Sequence, residues 1–325
     1  MTGIGSEAAG RRLAVAGSKT TTIETLRALA GTGRRIDLLI TLTPEQAEVA
    51  QVAGYADLRP VATELGIEVV HPATYALDSD EDRARLADRG IDCLLVIGWQ
   101  RLIPAWFLET LTCGAYGMHG SAEPLPRGRG RSPMNWALAE GRESFLTHLF
   151  RYDAGVDSGA VVARQRFDIT VWDDCETLHF KNRLAMSRLL DQHLDDILAG
   201  MVELRPQPED VEATYLAKRT PEHGRILWAE HSMRTLHDHI RAQTRPFPGA
   251  FSHLGGDDEP FHLWVGHPFD THLTDLDELP GTVVEVFHDG SFLVTTWDGS
   301  VLVRDAGCAS GRVPRPGDRF TDRPT

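Results

Sequence analysis

The chain is poor in cysteine. Its four, Cys93, Cys113, Cys175 and Cys308, are scattered through 325 residues, and none forms a C-x-x-C pair. That spacing excludes a zinc ribbon or a disulfide framework and fits the reduced thiols of a cytoplasmic protein. HExxH is missing, and His237 and His239 stand two apart rather than at a metal-binding interval, so no metal is expected. No apolar run is long enough to cross a bilayer, and residues 1–12 lack the apolar centre of a secretory signal. Basic residues are scarce as well: 33 Lys plus Arg against 47 Asp plus Glu leave a net charge of −14. Lys and Arg are what neutralise phosphates, so this balance disfavours a nucleic-acid partner. The first Gly-containing turn, Gly17-Ser18-Lys19-Thr20-Thr21, is neither GxGxxG nor a Walker A loop, which excludes a dinucleotide or nucleoside triphosphate there.

What is present is an alternation of strand and helix patterns. Residues 12–17, 36–41, 67–70 and 91–97 read as strands, and residues 22–30, 57–65 and 81–88 as intervening helices. The alternation predicts an α/β fold: a doubly wound, mostly parallel, Rossmann-like sheet covered on both faces. Such sheets bind ligands at the carboxyl ends of their strands, which directs attention to the turns after Ile97 and Met118. A helix is expected over residues 133–140, with Ser132 as N-cap and Pro133 at the first position. Strands follow at 145–151 and 160–167. A long helix over 175–199 carries an apolar stripe of Leu178, Leu184, Leu189, Leu190, Leu194 and Ile197. Residues 205–222, opening with Arg205-Pro206-Gln207-Pro208, read as a linker. Beyond them come a short amphipathic helix at 233–243, an irregular corner at 245–250, and strands at 261–265, 281–287, 291–297 and 300–303. Hairpin turns are expected at Asp289-Gly290 and Asp298-Gly299. This part predicts a small β-barrel. The expected domains are residues 1–204, a linker at 205–222, and residues 223–325.

The chemistry concentrates in one stretch. His119 ends the short run Tyr116-Gly117-Met118; a loop rich in Gly, Pro and Arg follows, and downstream Asp157 stands in Gly155-Val156-Asp157-Ser158-Gly159. A histidine near a carboxylate can take and return a proton near neutral pH, so His119 and Asp157 are the candidate catalytic pair. The turn Gly98-Trp99-Gln100-Arg101-Leu102-Ile103-Pro104 reads either as a plain strand-to-helix connection or as one wall of a flat-ligand pocket. Arg127, Arg129 and Arg131 read either as a solvated basic loop or as a substrate-binding clamp on an acceptor phosphate or carboxylate.

Met118-His119-Gly120-Ser121, the run from Pro126 through Arg129-Gly130-Arg131-Ser132-Pro133, Asn135-Trp136 and Val156-Asp157-Ser158-Gly159 together resemble the folate-dependent formyltransferase family. Tyr55-Ala56-Asp57-Leu58, Leu65-Gly66-Ile67, Gly224-Arg225-Ile226 and Thr244-Arg245-Pro246-Phe247-Pro248-Gly249-Ala250 extend the resemblance over nearly the whole chain. It implies a formyltransferase-type catalytic domain followed by an OB-like barrel. It implies transfer of a formyl group from the co-substrate 10-formyltetrahydrofolate to a small-molecule amine, such as an amino-sugar nucleotide or an amino-acid-derived metabolite. The acidic balance beyond Tyr215 argues against tRNA as the acceptor, and analogy gives a homodimer. By the same resemblance the pterin would lie against Arg101, Leu102 and Ile103 and along the backbone of Asp153, Ala154, Gly155 and Val156, with Trp99 at the entrance. The family's Asn-x-His places its histidine on His119 and its aspartate on Asp157, but its asparagine falls on Gly117. That asparagine helps hold the formyl oxygen as negative charge develops, and losing one such donor costs about 10²–10³ in turnover. Gly117 can contribute its backbone N–H or room for a water or a bulkier substrate, and Ser121 or Tyr116 are the candidates to replace the lost donor. The alternatives are a member with altered one-carbon or hydrolytic chemistry, or a folate-binding protein without catalysis. The loop at 122–126 is two residues longer than is usual in the family.

Overall fold

The computed structural model describes residues 10–273 and 278–324. The chain divides into two compact units: residues 1–129, 146–166 and 182–214 in the first, residues 130–145, 167–181 and 215–325 in the second. In chain order the first stretch holds β1 (Leu13–Ala16), α1 (Thr20–Gly31), β2 (Leu38–Ile40), α2 (Pro44–Val49), α3 (Arg59–Leu65), β3 (Glu68–Val70), α4 (Asp80–Leu86), β4 (Cys93–Val96), α5 (Ala105–Thr110) and β5 (Gly114–Ser121). There follow β6 (Arg129–Gly130), α6 (Pro133–Ala139), β7 (Ser144–Arg151), β8 (Val161–Asp168), α7 (Cys175–Leu198), β9 (Tyr215–Leu216) and α8 (Met233–Arg241). The last stretch holds β10 (Ala250–Leu254), β11 (Pro260–Pro268), β12 (Val283–Val286), β13 (Phe292–Thr296), β14 (Gly299–Gly307) and β15 (Phe320–Thr321).

The sheet of the first unit runs β3-β2-β1-β4-β5-β7-β8. Its first five strands pair in parallel, and β7 turns back antiparallel to β5. Successive side chains on a strand point to opposite faces, and β1, β2 and β4 are covered on both, so these three strands are apolar throughout. Leu13 and Val15 join one core with Leu26 and Leu29 of α1, Val61 of α3 and Leu194 of α7. Ala14 and Ala16 join the other with Ala47 of α2, Leu86 of α4 and Phe107 of α5. Each fully buried Leu or Phe contributes about 1.5–3 kcal/mol of apolar burial, which is what closes the helices on the sheet. At the carboxyl ends of β1 and β4 the chain fills its own crevice, because the Thr22 hydroxyl donates to the Ile97 carbonyl at 2.6 Å.

Several local expectations change. Leu184 is half exposed and Met186 takes its place in the core stripe of α7. Ser132 does not cap α6 with its side chain. Its backbone is left-handed, with φ of 54°, and its hydroxyl instead accepts from the Arg219 N–H at 3.2 Å. The start of the expected linker is pinned, since Arg205 and Val161 exchange backbone hydrogen bonds at 2.8 and 2.9 Å. Its prolines fix φ at values an extended segment adopts, so a Pro-rich run can lie along a strand edge as well as hang free.

In the second unit the sheet runs β12-β13-β14-β11-β10-β15, with antiparallel pairing. An antiparallel bridge between Thr282 and Arg319, with the Phe320 N–H donating to Gly281 at 2.8 Å, joins the two ends of the sheet into a small barrel. Its core holds Trp228, Phe261, Phe292, Val301 and Phe320, and α8 presents Leu236 and Ile240 to it. The Trp228 indole N–H is satisfied by the Ser252 hydroxyl at 2.8 Å, as a buried indole requires. Strand β10 lies in the stretch after the Pro-rich corner where no strand was expected. The β13–β14 hairpin turns on Trp297-Asp298, because Thr296 pairs with Gly299, one residue earlier than Asp298-Gly299. Among the described residues no helix is long and apolar enough to cross a membrane, and no cluster of His, Cys, Asp and Glu is placed to hold a metal ion.

Candidate active site

Strand β5 delivers His119 to the sheet's interior, where the residue is 7% exposed. Asp157 reaches it from the turn before β8: His119 Nδ1 lies 3.3 Å from Asp157 Oδ2. Asp157 sits at φ 49°, in the left-handed region that Asp tolerates better than bulkier residues. The turn is held there by Gln207, whose side-chain amide donates to the carbonyls of Asp157 and Gly159 at 2.7 and 2.9 Å. On the other side of the ring, His119 Nε2 donates to the Gly128 carbonyl at 2.7 Å. Both ring nitrogens therefore face acceptors. A neutral ring can serve only one of them, while a protonated ring serves both. That arrangement suits a group that accepts a proton during a reaction.

The loop between Ser121 and Gly128 is locked by its own hydrogen bonds. The Ser121 hydroxyl donates to the Arg127 carbonyl at 2.9 Å and accepts from the Glu123 N–H at 3.2 Å. Residue 128 must be glycine: its φ is +75°, and a Cβ there would stand 2.1 Å from Ser121 Oγ. The Ser121 hydroxyl is thus engaged in the loop. Tyr116 points to the opposite face of β5, into the core under α7, with its hydroxyl on the Cys113 carbonyl at 3.1 Å. Of the three arginines, Arg127 pairs with Glu123 at 3.2 Å on the exposed side. Arg129 donates to Gln207 Oε1 at 2.7 Å and so braces the residue that holds the Asp157 turn. Arg131 lies in the second unit, its backbone N–H on the Leu216 carbonyl at 2.9 Å.

The residues expected around the pterin divide into an open and a closed set. Asp153, Ala154, Gly155 and Val156 are exposed, and the Asp153 carboxylate accepts from the Gly155 N–H and the Ser158 hydroxyl, which shapes the loop. Arg101 is exposed with its guanidinium 4.8 Å from the Tyr75 ring centre, and Leu102 is half exposed. Ile103 and Trp99 are buried instead. Trp99, expected at an entrance, packs edge-on against Tyr75 at 4.7 Å, and its indole N–H has no acceptor among the described residues. A cleft of about 330 Å³ lined by Leu108, Glu109, Ala115, Arg151, Tyr152 and Asp153 opens beside the exposed loop.

Three residues near the pair were not expected. Gln207 carried one signal, a polar side chain flanked by two prolines that fix its backbone. His148 and Tyr152 carried none, since both arrive through the β5–β7 register, which sets His119 opposite His148. The His148 Nδ1–H donates to the His119 carbonyl at 3.2 Å. Burial pushes its imidazole down to about 4, with the neighbouring His119 ring adding to the shift. The unfolded chain, with an ordinary His value of 6.5, binds a proton that the folded chain refuses between those two values. Stability is therefore full above pH 6.5 and is lost as pH falls toward 4, by up to about 3 kcal/mol from this residue. His148→Asn, which stays neutral throughout, is expected to flatten the fall in melting temperature across that window. A thermal-melt series from pH 7 to pH 4 that is equally steep in both proteins would refute this.

Residues 59–193 match the model of the formyl transferase family. The matched stretch contains Gly117, His119 and Asp157, so the site lies within the part of the chain that is similar to formyl transferases. Solved structures share the fold over nearly the whole chain. WlaRD, a sugar 3N-formyltransferase solved with dTDP and 5-N-formyltetrahydrofolate, is 15% identical over 92% of this chain and 98% of its own, with a TM-score of 0.63. An N-formyltransferase from Helicobacter canadensis, solved with folinic acid and dTDP-3-aminofucose, is 15% identical over 91% of this chain and 99% of its own, also at 0.63. HypX from Aquifex aeolicus, solved with tetrahydrofolic acid, is 16% identical over 91% of this chain but only 44% of its own, at 0.62.

Proposed function

We propose that this protein moves a formyl group from 10-formyltetrahydrofolate to the amine of a small-molecule acceptor. The observation that carries the reading is the 3.3 Å contact between His119 and Asp157, two residues distant in sequence that meet within the part of the chain similar to formyl transferases. The similar structures solved with formyl folates and an amino-sugar nucleotide support the choice of donor and acceptor class. The exposed residues Asp153 to Val156 offer main-chain groups to a flat donor–acceptor ring, the Gly155 N–H excepted because the Asp153 carboxylate holds it, and the exposed guanidinium of Arg101 offers a positive charge. The folate supplies an activated formyl carbon. As the acceptor nitrogen bonds to that carbon, the carbonyl electrons move onto oxygen and the amine must lose a proton. His119 takes it, and its charged ring is then held by the Gly128 carbonyl and the Asp157 carboxylate together. When the bond to the folate nitrogen breaks, His119 returns the proton to that nitrogen, leaving a formamide and tetrahydrofolate.

The test is an amine panel, amino-sugar nucleotides included, incubated with formyl-labelled donor. One acceptor is expected to gain label in step with tetrahydrofolate release. No transfer to any amine, together with no heat on titration with 5-formyltetrahydrofolate, would remove the reading. Formate released at the same rate without any amine would favour the second reading, hydrolytic chemistry, for which the bare position at Gly117 is the supporting observation.

A further inference from the structure

The side-chain space of residue 117 is not vacant. In the β5–β7 ladder Gly117 stands opposite Phe150 and His119 opposite His148, and the Tyr152 N–H donates to the Ala115 carbonyl at 2.8 Å. Directly opposed residues of an antiparallel pair share a face, so Ala115, Gly117 and His119 lie on the face of Tyr152, Phe150 and His148. A Cβ on residue 117 would fall 2.3 Å from Tyr152 Cε2, 3.1 Å from its Cζ and 3.0 Å from the Val96 carbonyl oxygen. The phenol ring of the neighbouring strand thus occupies the place a side chain at 117 would take. It is fixed there by stacking on Phe150, with ring centres 5.1 Å apart and planes 18° from parallel. Cζ is the atom that bears the hydroxyl, so the donor hangs one bond beyond an atom already inside that space.

We propose that Tyr152 supplies, from β7, the hydrogen bond to the formyl oxygen that a polar side chain at 117 would supply from β5. The inference rests on the formyl-transfer reading above. A phenol suits the task only if it keeps its proton, and burial, with the charge of Asp157 adding to it, holds this one well above the ordinary tyrosine range. The hydroxyl is therefore held as a neutral donor on a ring that shares its strand face with His119, where on this proposal it meets charge that appears only in the transition state.

Tyr152→Phe keeps the ring and its stacking and removes only the hydroxyl. The expected result is a fall of about 10²-fold in kcat, with KM, the affinity for 5-formyltetrahydrofolate by calorimetry, and the melting temperature all within twofold or two degrees or so of the parent. Turnover within about threefold of the parent would overturn the proposal. The packing claim has its own readout: Gly117→Ala is expected to lower the melting temperature by several degrees in the parent and by much less in a Tyr152→Ala background. Equal shifts in the two backgrounds would overturn it. The double variant Gly117→Asn/Tyr152→Ala is expected to exceed Tyr152→Ala in turnover by about tenfold or more, because asparagine then has room to act; no gain would count against the shared position. A parent protein that binds the folate analogue and formylates nothing would instead sink the transfer reading, and the donor role with it, while leaving the ring's placement to the melting data.

Discussion

His119→Ala is expected to lower formyl transfer by about 10²–10⁴-fold, the range a positioned general base contributes. On the binding mode proposed above, in which the exposed loop at 153–156 and Arg101 hold the donor, the loss should fall on kcat. The imidazole is in contact with both the Gly128 carbonyl and the Asp157 carboxylate, at 2.7 and 3.3 Å. Its removal leaves one buried carbonyl without that donor, a cost of roughly 1–3 kcal/mol in stability, so the comparison must be made below the variant's melting temperature. Asp157→Asn separates charge from geometry. Asparagine accepts a left-handed backbone as readily as aspartate, and Gln207 grips the residue through its main-chain carbonyl, which the substitution leaves in place. The turn should therefore stand while the charge that steadies the protonated ring disappears. Single-turnover rates within threefold of the parent for both variants would take this pair out of the mechanism.

The parts of this architecture that announced themselves in the sequence are those whose environment is uniform along the chain. β1 and β4 are buried on both faces and alternate with helices, so they appear as apolar runs at regular intervals. β10 is also fully buried, yet it includes Ser252 and His253 and begins at the end of a Pro- and Gly-rich corner, so neither alternation nor composition marks it. Leu184 was assigned to the core because helical periodicity gives the width of an apolar stripe but not which of two flanking residues lies under it. At the site, His119 and Asp157 stand out as residue types in a glycine-rich setting. Tyr152, His148 and Gln207 do not: each matters through the partner that register or a pinned segment brings beside it, and no local pattern encodes that pairing. The glycine at 117 shows the same limit from the other side. As a sequence letter it is a missing donor, whereas in the sheet it is the clearance that lets a neighbouring strand's phenol in.

In the second unit the largest stability effect should follow from Arg241. Its guanidinium, with the side chain 6% exposed, meets Asp238 Oδ1 at 2.7 Å, and Asp238 is itself 4% exposed. Its remaining donors reach the carbonyls of Thr170 and Asp173, both at 2.7 Å, so one residue ties α8 to the segment leading into α7. Taking two charges out of water is expensive, and what makes the pair tolerable is that nearly every donor and acceptor is met. Removing one partner reverses that balance. Arg241→Met is expected to destabilise this unit by about 3–5 kcal/mol, lowering its melting temperature by on the order of 10 °C. Arg234, which reaches Asp238 Oδ2 at 3.0 Å, cannot take over, because it is 55% exposed and contacts neither carbonyl. Arg241→Met/Asp238→Leu should recover part of the loss, since it removes the stranded carboxylate, but not all, since the carbonyls of Thr170 and Asp173 stay without their donor. A double variant no more stable than the single one would mean that the carbonyl contacts, and not the ion pair, hold α8 to this segment.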